Sequence, residues 1–73
     1  MHGRALPLPG SSSLVAVTYN DADATLDVEF HQGETYRYFM VPRSVVVALV
    51  AAPSAGKYFS SQIRPRFKEE RLV

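Results

Sequence analysis

Four cations gather towards the C-terminal end of this chain at spacings suited to phosphate. Ile63-Arg-Pro-Arg-Phe-Lys68 alternates apolar and basic residues, so an extended backbone would project Arg64, Arg66 and Lys68 to one side. Lys57 lies a short segment upstream, and Arg43 is the cation before it. Positive groups in a row neutralise a nucleic-acid backbone, so Arg64, Arg66, Lys68, Lys57 and Arg43 predict weak, salt-sensitive, sequence-tolerant binding of nucleic acid through three or four phosphates. The plainer role is a solvated tail in which Glu69, Glu70 and Arg71 form ordinary surface pairs.

Other chemistry has less support. Ser54-Ala-Gly-Lys57 carries a fragment of a phosphate loop, but the position of its first glycine is Ala51 and the position of its hydroxyl residue is Tyr58. A weaker reading has Lys57 and the free N–H groups of a second helix hold one phosphate; otherwise Gly56 permits close helix–helix packing. His2 and His31 stand too far apart to build a Ser–His–acid set with any certainty of partner, and no His or carboxylate group has metal-ligand spacing. Asp21 and Asp23 share a turn but lack the longer ligand loop of a calcium site. The chain has no cysteine, so neither a disulfide nor a thiolate site is available. These features predict a protein that is not an enzyme and uses no cofactor or metal.

The 73 residues make one domain near the lower limit for a self-sufficient core. Apolar residues at 47% and charged residues at 21% are ordinary globular values. The net charge is only +1, but it is unevenly spread. Residues 54–73 hold five basic groups against two acidic ones, and residues 1–53 hold three against five. No stretch approaches the ~20 apolar residues of a membrane span. The N-terminus lacks the apolar centre of a signal peptide, so cytoplasmic residence is expected. Pro7 and Pro9 predict an extended, mobile arm over residues 1–11, ahead of a domain over 12–68 and a tail over 69–73.

Three strands have to position these groups. Leu14-Val-Ala-Val-Thr-Tyr19 is β-branched and aromatic, and Asn20-Asp-Ala-Asp23 is turn chemistry. A four-residue loop there pairs Val17 with Leu26 and Val15 with Val28. For Leu26, Val28 and Phe30 to share a face with Tyr36, Tyr38 and Met40, the next loop must be His31-Gln32-Gly33, with Gly33 left-handed. That register sets Val28 opposite Tyr36, Leu26 opposite Tyr38, and Asp27 opposite Arg37. The inner face is then Val15, Val17, Tyr19, Leu26, Val28, Phe30, Tyr36, Tyr38 and Met40. Tyr36 and Tyr38 read as core residues with hydroxyls at its edge, or as a base-stacking platform if that face is open.

Helices cover the inner face. Pro42 suits a first helical position, Ser44 to Ala52 follows with Val45, Val46, Leu49 and Val50 on one stripe, and Pro53 stops it. Ser54 caps a second helix over about residues 55–62, with Phe59 and Ile63 on one side. The fold class is therefore α+β, a three-stranded antiparallel meander followed by two short helices packed on one face, β-β-β-α-α. Its outer face offers Phe39, Val41 and Arg37, with Leu14 and Ala16, as a modest apolar patch. The alternative function is accordingly a protein-interaction or homo-oligomerising domain that uses this face.

With these residues in place the chain resembles the KTSC domain, a C-terminal extension of some lysyl-tRNA synthetases that also occurs alone in small bacterial proteins. The matching pieces are Val17-Thr-Tyr19-Asn-Asp21, Leu26-Asp-Val-Glu-Phe30, Tyr36-Arg-Tyr38, Val41-Pro42, and Ser54-Ala-Gly-Lys-Tyr-Phe59 followed by Ile63-Arg64. They span residues 12–67. The family pattern often has an asparagine after its Tyr-Phe pair, where this chain has Ser60. The resemblance implies a small binding domain without an established activity, for which attachment to a synthetase suggests RNA.

Overall fold

The computed structural model describes residues 5–73; residues 1–4, His2 among them, lie outside the described residues. Five antiparallel strands stand side by side in chain order. They are β1 (Ala5–Pro7), β2 (Leu14–Asn20), β3 (Thr25–Phe30), β4 (Thr35–Tyr38) and β5 (Glu69–Arg71). Between β4 and β5 come α1 (Arg43–Ala51) and α2 (Ala55–Tyr58), and α2 runs on as a π-helical turn over Phe59–Ile63.

The α+β class stands, but the sheet has five strands where a three-stranded meander was expected. Ala5–Pro7, expected in the arm, pairs with β2 through Leu6 and Val17. Glu69–Arg71, expected in the tail, pairs with β4 from Tyr38 opposite Glu69 to Tyr36 opposite Arg71. Neither added strand buries a side chain, so neither carries the alternation that marks a strand in sequence. Their pairing satisfies the open backbone groups of β2 and β4.

The β3–β4 hairpin has the expected register. Val28 faces Tyr36, Leu26 faces Tyr38 and Asp27 faces Arg37. Gly33, at φ 99°, takes the left-handed place in the three-residue loop. On the outer face Arg37 donates two hydrogen bonds to Asp27, at 2.8 and 3.0 Å.

The β2–β3 register differs from expectation by two residues. Val17 faces Val28 and Tyr19 faces Leu26, because the loop is residues 21–24 rather than 20–23. Asn20 stays in the ladder, its side-chain oxygen accepts from the Ala22 N–H, and Ala24 absorbs the reversal at φ 56°. A shift of two preserves the inner face for most residues. A bulge between Leu14 and Ala16 does not, because the extra residue at Val15 inverts the alternation. Leu14 is therefore fully buried and Val15 only half-buried, the reverse of the expected arrangement.

A second inversion ends β4. Met40 adopts φ 59° and is 77% exposed, whereas Val41 is fully buried. The Val41 N–H donates to the Ala24 carbonyl at 2.9 Å, and the Val41 carbonyl accepts from the Tyr19 hydroxyl at 2.7 Å. Pro42 then caps α1 from outside the helix, and α1 ends at Ala52, which is extended ahead of Pro53. Val46 and Leu49 of α1 enter the core, Val45 packs against it, and Val50 is exposed at its rim. The Ser54 hydroxyl caps α2 by accepting from the Lys57 N–H, and Ala55, Phe59 and Ile63 complete the core. Among the described residues no helix is long and apolar enough to cross a membrane.

The bulge makes a test. Leu14→Ala should cost about 2–5 kcal/mol, a large share of the roughly 4–11 kcal/mol typical of a domain this size. Val15→Ala should cost less than half as much. Urea titration of the two variants measures the difference, and equal losses would contradict the bulged register.

Candidate nucleic-acid interface

At the β3–β4 loop end, the sheet and the helical segment leave a cleft of about 300 Å³. Its apolar walls come from Phe30, Tyr36 and Phe59, and its polar lining from Ser13, Gln32, Glu34, Ser60 and Arg64. The rings hold one another edge to face. Phe59 lies 5.5 Å from Phe30 and 5.4 Å from Tyr38, and Phe30 lies 5.9 Å from Tyr36, at interplanar angles of 69–87°.

The π-helical turn places Arg64. Its N–H donates to the Phe59 carbonyl at 3.0 Å, five residues back, closing a turn wider than that of an α-helix. The guanidinium carbon then stands 5.2 Å from the Phe59 ring centre and 5.9 Å from that of Phe30. Both rings attract it. Arg64 is thus held at the cleft but remains exposed.

A shallower depression adjoins the cleft across Ser13 and Ser60 and contains Lys57, Ser12, Ser54 and Ser61. Gly56 lets these surfaces meet, since a Cβ there would stand 2.9 Å from the Ser13 hydroxyl. Its tight approach is to the serine run before β2 and not, as expected, to α1, no atom of which would lie within 4 Å of that Cβ. On the edge strand, Arg71 faces Tyr36 across the β4–β5 ladder and donates to the Val73 carbonyl at 3.0 Å. In sheet order, Lys57 thus belongs to the depression beside the start of β2, Arg64 to the cleft lining, and Arg71 to the edge strand β5.

The expected cations do not all converge. Residues 64–67 form a turn in which the Arg66 and Phe67 N–H groups both donate to the Ile63 carbonyl, so the anticipated extended segment is absent. The reason is continuation of the helical turn through Arg64, which stays right-handed. Arg66 and Lys68 are exposed and line neither depression, and the Lys68 carbonyl accepts from the Phe39 N–H at the far end of β4. Arg43 lies at the opposite end of the sheet, 2.8 Å from Asp21 in an exposed ion pair. Of the five cations, Arg64 and Lys57 are brought to one region. Arg71 was missed because its neighbours Glu69 and Glu70 suggested local pairing. Among the described residues it forms no ion pair with them.

The expected outer-face patch is not assembled. Val41 and Leu14 lie in the core, Phe39 is half-buried, and Arg37 is engaged by Asp27. Across the outer face the register instead aligns Thr18, Asp27, Arg37 and Glu70. Tyr36 lines the cleft half-buried, while Tyr38 is a core residue at 1% exposure.

An antiparallel meander closed on one face by helices, with an arginine held by aromatic rings at one end, defines a small α+β domain. The chain belongs to the KTSC domain family, whose pattern it matches over residues 10–67. It is similar to the crystal structure of a KTSC domain protein from Yersinia pestis, with a TM-score of 0.87 and 27% identity over 96% of this chain and 97% of that one. It is 43% identical to a lysine–tRNA ligase of Nostoc sp. over 70 residues, which are 93% of this chain and 12% of the ligase. An uncharacterised protein of Stutzerimonas stutzeri is also 43% identical, over 77% of this chain and 79% of its own length. The chain thus spans about an eighth of the ligases it matches and most of the smaller relative.

Tyr38 makes the site's anchoring testable. Burial raises its hydroxyl well above the ordinary tyrosine range, the Glu69 carboxylate raises it further, and Arg64 offsets part of the rise. An unfolded tyrosine titrates near pH ~10, so above that pH the unfolded state loses a proton that the folded state keeps. The contribution is fully present below about pH 10 and is lost as pH rises towards the folded value. The melting temperature should fall more steeply between about pH 9 and about pH 11 than that of Tyr38→Phe. Parallel curves would contradict this.

Proposed function

We propose that this domain is a non-enzymatic accessory module that binds single-stranded RNA weakly through the cleft at the β3–β4 loop. The observation that carries the reading is Arg64 in the lining of a cleft walled by aromatic rings, with Lys57 in the adjoining depression and Arg71 opposite Tyr36 on β5. Unpaired strands are bound by cations that track the backbone beside aromatic surfaces on which bases rest. The match to part of a lysine–tRNA ligase supports RNA as the nucleic acid. Phosphate contacts position a strand without specifying it, so affinity should depend on salt more than on sequence. Arg66 and Lys68 stand outside this group and would add a general attraction only.

Fluorescence anisotropy of a labelled single-stranded RNA at several salt concentrations tests this. Three phosphate contacts predict a slope of log K against log salt of about −2, from about −0.7 per contact on a single strand. Arg64→Glu and Lys57→Glu should each abolish measurable binding, and Arg43→Glu should leave it nearly intact. Absence of binding by the unaltered protein at low salt would overturn the proposal.

A further inference from the structure

We infer that the cleft accepts one unpaired guanine of the bound RNA, a deepening that rests on the function proposed above. Glu34 is the observation that points there. It is half-buried in the lining of the same cleft as Arg64, and among the described residues neither takes part in an ion pair. A carboxylate repels phosphate, so its presence is a liability if the cleft holds only backbone. It becomes an asset if the occupant presents N–H donors.

The hydrogen-bonding edges of the bases narrow the choice. A carboxylate only accepts, and its two oxygens match two adjacent N–H donors. Guanine alone among the four RNA bases presents such a pair on its Watson–Crick edge, at N1 and N2. It also presents two adjacent acceptors, O6 and N7, the pattern that an arginine fork reads. Adenine and cytosine set one donor beside an acceptor, and uracil flanks its single donor with acceptors. Glu34 and Arg64 together therefore match guanine better than any other base. Phe30 and Tyr36, both half-buried in the lining, supply apolar and π surface for the ring, with Phe59 packed behind them.

The same edge is occupied in a duplex, so the base must be unpaired. With Glu34 inside the cleft, the phosphates run outside it, towards Lys57 and Arg71. The module then keeps a salt-dominated affinity but prefers a strand that offers a guanine at one position.

The test measures anisotropy with a labelled heptauridine and with versions carrying guanosine, adenosine or inosine at the centre. The guanosine strand should bind at least about fivefold more tightly than the uridine or adenosine strand, within the range of one good bidentate contact. Inosine, which lacks the N2 amino group, should lose most of that preference. Glu34→Gln should bring the guanosine-to-uridine affinity ratio close to one, with thermal melting used to verify that the variant is folded. The inosine comparison needs only the unaltered protein and decides the matter if the variant does not fold. Equal binding of all four strands would overturn the guanine site and leave the RNA reading standing, as would a preference that persists in Glu34→Gln or with inosine. Failure of every strand to bind at low salt would remove both.

Discussion

The reversal at Met40 and Val41 is the constraint on which the rest of the fold depends. A strand continued past Tyr38 would carry Met40 inward and Val41 outward. The left-handed backbone at Met40 turns this around, and Val41 becomes a hook under the sheet. One backbone unit then ties three elements: the β2–β3 loop through Ala24, β2 through the Tyr19 hydroxyl, and α1 through the adjoining cap at Pro42. Left-handed backbone at a non-glycine residue costs on the order of 1–2 kcal/mol. Full burial of Val41, worth about 1.5–3 kcal/mol, offsets that cost.

The rest of the architecture follows from where this hook sends the chain. α1 starts beneath the β2–β3 loop end, α2 and its π-helical turn return towards the β3–β4 loop end, and Phe59 closes the core against Tyr38 and Phe30. The two ends of the sheet thereby acquire different chemistry. One holds the Arg43–Asp21 pair, in which charge is already matched. The other holds Arg64 on an aromatic wall, beside a cleft whose carboxylate and cation remain free of ion pairs among the described residues. The outer face is different again, with the Asp27–Arg37 pair at its centre and Glu70 alongside making a net negative row. A carboxylate and a cation meet in the cleft in one concave, aromatic-walled lining, which is why the binding site is proposed there and not on the sheet surface.

Much of the frame was legible from local chemistry. The Gly33 loop and the Asp27–Arg37 pair specify the β3–β4 register, because a period of two permits only one parity when both inner faces are apolar. Ser54, Pro42 and Pro53 mark the helix ends through cap and backbone restrictions that act within a few residues. The cleft was legible only in fragments. Arg64, Lys57 and Tyr36 stood out by type and Ser60 by its place after the Tyr-Phe pair, but Arg71, Glu34 and Ser13 gave no signal in isolation. Their shared surface exists because strands distant in sequence are neighbours in the sheet.

The sequence by itself determined the α+β class and the central hairpin, because both rest on periodicity and turn chemistry that act over short separations, and the family through the resemblance of its ordered motifs. Only the tertiary structure decided which residues escape that periodicity. The bulge at Val15 and the left-handed turn at Met40 exchange inside for outside at Leu14 and Val41, removing an expected partner surface into the core. The edge strands β1 and β5 form because β2 and β4 leave backbone groups unpaired, and no side-chain pattern announces that need. The cations were likewise sorted by folding: a helical turn that continues through Arg64 places it on the aromatic wall and leaves Arg66 and Lys68 elsewhere. Backbone hydrogen bonding across distant segments made the choices in the sheet and bonds within five residues made the one at Arg64, and alternation along the chain carries no record of either.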